Sequence, residues 1–270
     1  MKKYPYFSAV TIALLILILL PGNGRAQELP ALNGSCSDIV VVDSFEFPFP
    51  AGPDGMTPTV HGLAFNKSDR SLWGAEYTSG KIHKFEISYH HGTIKIDKTI
   101  PAPNYYPTGI TFQKNRLWCA SAGPGIAEIC RLNKNTGRIQ ECFPELGRDS
   151  TGLTFAEGFL WNAGFVGPPE NEEPGLLYKL DTSGTEIESF ESPGSGPEGL
   201  AFDGENLWHV DWWLNTIHKL DLSGVELCSW EGPGRCPIGL TFDGCYLWLA
   251  DQCTRMIYKL DIGYPNCEDD

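Results

Sequence analysis

Four carboxylates in this sequence stand where they could act together. Glu76, Asp211 and Asp251 each lie three residues after a Leu-Trp pair, and Glu198 directly precedes a Gly-Leu-Ala-Phe motif. Carboxylates brought to one place can pass protons, hold an amine, or coordinate one divalent ion. Trp212 and Trp213 follow Asp211, and aromatic faces of this kind enclose cationic amines. Tyr77 follows Glu76 in the same way. His61, Thr108, Thr151 and Ile238 occupy the position of Glu198 in four related segments. Five dissimilar residues at one repeated position indicate a lining that packing alone does not set. The sequence holds no Gly-x-Ser-x-Gly elbow, phosphate-binding loop, dinucleotide fingerprint or EF-hand loop. No bound cofactor is indicated, although one divalent ion in a central channel is compatible with the carboxylates.

The elements that must position these residues come from a repeat. Segments beginning at Gly62, Gly109, Gly152, Gly199 and Gly239 share Gly-Leu/Ile-Ala/Thr-Phe, a polar turn, and Leu-Trp. Repeats of 40–50 residues made of short alternating strands indicate one four-stranded blade each. The fold class is therefore all-β, a five-bladed β-propeller of antiparallel blades. The last repeat lacks a fourth strand, and residues 38–47 form a lone strand before the first. Its Ser44-Phe45 lines up with Cys142-Phe143, Ser189-Phe190 and Ser229-Trp230, so it should complete blade five and close the ring. In such a ring, loops joining strand d to the next strand a share one face with the b–c loops. That face, the channel mouth, collects every candidate above. Two readings of the mouth follow: an acidic funnel for a small polar or cationic ligand, or a solvated channel.

The chain has 270 residues with 41% hydrophobic and 12% aromatic content, enough for a large core. Lys and Arg number 20 against 34 Asp and Glu, a net charge of −14. A nucleic-acid partner is excluded for want of a basic surface. Residues 1–26 read as a secretory signal peptide: Lys2 and Lys3, an apolar run from Ala9 to Leu20, and Gly24-Arg25-Ala26 before a cut at Gln27. Residues 27–270 are then one propeller domain, secreted or periplasmic, monomeric and not stably inserted in a membrane. All nine cysteines lie after Gln27, which suits an oxidising compartment. Cys267 should bond Cys36 or Cys245, and Cys236 should bond Cys253. At most one pair can form among Cys119, Cys130 and Cys142, and Cys228 is the expected free thiol.

Gly239-Leu240-Thr241-Phe242-Asp243-Gly244, Leu247-Trp248 and Tyr258-Lys259-Leu260-Asp261 resemble repeats of secreted propellers of the glutamine cyclotransferase type. They are more loosely similar to gluconolactonase-like and NHL propellers. The resemblance spans residues 38–261. It implies pyroglutamate formation from an N-terminal glutamine, with release of ammonia. It also gives Pro197-Glu198-Gly199-Leu200 the place of the family's acid–base glutamate. Three functions are carried forward. The first is a recognition scaffold for a small ligand, peptide or protein at the mouth. The second is a cyclotransferase using Glu198. The third is a metal-dependent lactonase-type hydrolase using carboxylates such as Glu198 and Asp211.

Overall fold

The computed structural model describes residues 27–32, 36–49, 58–122, 127–146, 149–166, 174–265 and 267. Residues 1–26, read from the sequence as a signal peptide, and part of the 164–175 loop lie outside them. Five sheets form the ring. Blade one comprises strands a to d at Val60–Asn66, Ser71–Glu76, Lys81–Ser88 and Thr93–Pro101. Blade two follows at Pro107–Gln113, Arg116–Ser121, Glu128–Leu132 and Ile139–Pro144, and blade three at Asp149–Ala156, Phe159–Phe165, Leu176–Leu180 and Glu186–Glu191. Blade four is Pro197–Phe202, Leu207–Asp211, Thr216–Leu220 and Glu226–Glu231. Blade five takes Pro237–Phe242, Tyr246–Asp251 and Met256–Asp261 from the C-terminal end, and Ile39–Glu46 as its strand d. Ser44 pairs with Tyr258 as Ser189 pairs with Tyr178 and Ser229 with His218, the register expected for ring closure.

One strand was not expected. Gln27–Leu29 adds to the outside of Ile39–Glu46 and makes blade five five-stranded. The chain then crosses to blade four, where Ala31 bridges Trp230 and Leu32 N–H donates to the Ser229 carbonyl at 2.7 Å. The segment covers strand edges that would otherwise invite other chains.

The core is a set of layers between blades rather than one central mass. Apolar clusters lie between blades four and five, five and one, one and two, two and three, and three and four. Trp73, Trp118, Trp161, Trp208 and Trp248 are buried in these layers. Each tryptophan stands directly opposite a cation on strand c: Lys84, Arg131, Lys179, Lys219 and Lys259. Lys179 and Lys219 place their ammonium groups 5.3 and 5.4 Å from the indole centres. The aliphatic stem covers the ring and the charge stays wet. Asp203 and Asp243 fix Trp208 and Trp248 from the a–b turns, accepting from the indole N–H at 2.8 and 2.7 Å.

Disulfides join Cys36–Cys228, Cys130–Cys142, Cys236–Cys253 and Cys245–Cys267. Cys228 is therefore not the free thiol. The N-terminal crossing brings Cys36 to blade four, a contact outside the repeat pattern. Cys119 is the free cysteine instead, and burial pushes its thiol up to about 12. Four disulfides place the protein outside the reducing cytosol. No helix among the described residues is long and apolar enough to cross a membrane.

Candidate functional site

The repeated glycine and the residue before it build the mouth. In every blade the a–b ladder shifts register at this point: between Val60 and Gly62, Pro107 and Ile110, Ser150 and Leu153, Pro197 and Leu200, and Pro237 and Gly239. Such bulges turn a strand locally and re-aim a side chain. The carbonyl before each glycine meets the glycine of the neighbouring blade. A Cβ on Gly152 would fall 2.1 Å from the Glu198 oxygen, and one on Gly239 would fall 2.7 Å from that of His61. Gly62, Gly109 and Gly199 face the carbonyls of Thr108, Thr151 and Ile238 in the same way. The five inner strands thus close on one another. The glycine ring is too narrow to hold a water molecule. Among the described residues, no water-filled passage runs through this glycine ring.

Three of the four carboxylates serve their own loops. Glu76 accepts from the Thr78 and Ser79 N–H groups at 2.8 and 2.9 Å, and from both hydroxyls. Asp211 accepts from Gly196 N–H at 2.8 Å and Leu214 N–H at 2.7 Å, clamping the d–a loop to the b–c loop. Asp251 does the same with the Arg235, Cys236 and Thr254 N–H groups. All three are buried. Among the described residues none donates a hydrogen bond to the Glu198 carboxyl. Burial, and then the charge of Asp211, push its pKa well above the usual carboxylate range.

Around Tyr77 the structure gathers His61 and Tyr106, with the charges of Asp149 and Glu198 close enough to act on it. His61 stacks on Tyr77 with ring centres 4.2 Å apart, and Tyr77 lies against Tyr106 at 4.9 Å. Burial lowers His61 to about 4, so its ring is neutral at ordinary pH. The Tyr77 hydroxyl is raised by burial and by the charges of Tyr106, Asp149 and Glu198. Thr108 and Thr151 are tied to backbone: their hydroxyls donate to the Ala120 and Pro197 carbonyls at 3.3 and 2.7 Å. Ile238 is buried in the layer that Trp212 packs against. Trp213 lies perpendicular to Trp212 at 4.4 Å and is 56% exposed over Gly196. Tyr106 and Asp149 were missed by sequence reasoning. Tyr106 holds a left-handed φ of 67°, a strained conformation for a bulky residue that only the folded loop reveals. A separate polar cavity of about 420 Å³ opens on the opposite face, lined by residues including Arg116, Arg131 and Lys134.

The geometry thus defines a disulfide-bonded, five-bladed β-propeller with the Glu198 carboxyl at its mouth and aromatic side chains on the same face. No protein-family model and no curated protein sequence matches the chain. Among solved structures it is similar to Myxococcus xanthus glutaminyl cyclase, with a TM-score of 0.63, 11% identity, and coverage of 83% of this chain and 97% of that one. A nidogen–laminin complex gives a TM-score of 0.53 at 17% identity, covering 88% and 90%. Staphylococcus aureus virginiamycin B lyase with quinupristin gives 0.49 at 21%, covering 90% and 82%. The chain therefore resembles a glutaminyl cyclase-type propeller in its fold.

Proposed function

We propose that the protein is an exported enzyme that cyclises N-terminal glutaminyl residues of peptides, with Glu198 as the acid–base group. The observation that carries this reading is the state of that carboxyl. Of the four carboxylates named from the sequence it is the one not engaged by its own loop, and its raised pKa suits a group that must take up and return a proton. In the reaction the α-nitrogen attacks the γ-amide carbon and loses a proton, and the departing nitrogen gains one as ammonia leaves. A single carboxyl can carry that proton between them. Trp213 and Tyr77 offer aromatic faces to the amine. A neutral His61 adds no repulsion against it. The fold likeness to a glutaminyl cyclase and the four disulfides agree with this reading and with export.

The second reading is a binding scaffold without turnover, favoured by the exposure of Trp213 on the mouth face. The metal-dependent hydrolase loses its ligands to the loop contacts of Asp211 and Asp251. Among the described residues the one group close enough to share an ion is Glu128, Cys130 and Cys142, and those cysteines form a disulfide. Mass spectrometry of a glutaminyl peptide incubated with the protein separates the two surviving readings. Loss of ammonia above the spontaneous rate supports the enzyme, and saturable binding without loss supports the scaffold.

A further inference from the structure

We propose that the protein is its own substrate: Gln27, exposed as the first residue when residues 1–26 are removed, is cyclised to pyroglutamate in the mouth of a second copy. The inference rests on the function proposed above. It starts from Gly24-Arg25-Ala26, small residues at the −3 and −1 positions of a leader cut, followed directly by glutamine.

The structure presents that glutamine to another molecule. Gln27–Leu29 is the outermost strand of blade five, with Gln27 opposite Val41. Strand d of this blade runs toward the mouth face, ending at Glu46 opposite Met256. The leading strand is antiparallel to it, so its amino end is directed to the mouth face. Gln27 and Glu28 are exposed, whereas Leu29 is buried between blades four and five. Peeling back to Leu29 frees two residues, a reach of about 7 Å when extended. Strand a of blade five is already four strand spacings inward, roughly 19 Å away, and Glu198 stands on strand a of blade four. Reaction within one molecule is therefore out of reach. A second copy has no such limit, and its glycine ring closes the axis so that its mouth residues stand on one face of the ring. The step balances without a co-reactant: the Gln27 α-nitrogen bonds to its own Cδ, the Cδ–Nε2 bond breaks, one proton moves between the nitrogens, and ammonia leaves. The product lacks a free amine, which protects the outer strand from aminopeptidases.

The test is to export the full chain with its own leader, as wild type and as Glu198→Gln, from the same host. Wild type should begin with pyroglutamate in place of Gln27, and the variant with open Gln27. A trace of wild type added to purified variant should then cyclise the variant's terminus, roughly 100-fold or more above its spontaneous rate. In this mixture the variant is only a substrate, so its own catalytic defect does not matter. Equal cyclisation in both proteins, a leader cut elsewhere, or an open Gln27 in wild type would each overturn the inference. A free glutaminyl peptide in the same tubes separates the failures. Peptide turned over while Gln27 stays open leaves the proposed function standing, and peptide left intact removes both.

Discussion

The Glu198 carboxyl combines the proposed acid–base role with a stability cost. Its pKa in the folded protein is raised above its unfolded value. Its contribution is therefore fully favourable below the unfolded pKa and is lost as pH rises through the folded one. Glu198→Gln should raise the melting temperature at neutral pH, with the gain vanishing in acid; thermal melts at two pH values check this. The buried histidines have the opposite sign. His83 and His209 are lowered from 6.5 to about 4 and about 3, mainly by burial. Their contribution is present above the unfolded value and is lost as pH falls toward the folded one. Urea titrations should show stability falling below pH 6.5 by on the order of 1 kcal/mol per pH unit for each of the two. Trp213→Ala should leave the fold intact and weaken capture of an amine-bearing peptide by about 1–2 kcal/mol, measured by calorimetry. Trp212→Ala is a poorer probe because Trp212 packs against the layer holding Ile238 and Trp248. The place of Glu198 was legible because it precedes an invariant glycine of the repeat. The engagement of Glu76, Asp211 and Asp251 was not, because it depends on backbone N–H groups that only the folded loops bring together.

At the scale of elements, the bulge before each repeated glycine is the device that aims the mouth residues. The period showed five strands a, but not the register break, which has no residue signature beyond the glycine. That glycine is required by contact between blades rather than by its backbone angle. Gly152→Ala places a methyl against the Glu198 carbonyl, so it should both destabilise the ring and displace Glu198. A loss of roughly 1–3 kcal/mol, the scale of overpacking, should appear in denaturant unfolding, together with reduced peptide turnover. The cation opposite each tryptophan was also within reach of the sequence, once Trp208 and Lys219 are set in one b–c register.

For the whole molecule, closure joins both ends of the chain in blade five and fastens the amino end to blade four. The strand Ile39–Glu46 was readable because its Ser-Phe matches strand d elsewhere. The crossing to Cys228 was not, because it belongs to no repeat. Cys36–Cys228 bridges a sequence separation of 192 residues. Removing it by Cys228→Ser should cost about 5 kcal/mol in the entropy model and open the ring at its latch, seen as faster hydrogen exchange in Gln27–Leu29. The central claim is that this closed ring holds Glu198 as a working acid–base group. The most direct test measures glutaminyl-peptide turnover and peptide binding side by side in wild type and Glu198→Gln. The account predicts that turnover falls roughly 100- to 10,000-fold while binding changes little, because the lost term is proton transfer. Wild-type turnover that Glu198→Gln leaves unchanged would contradict it.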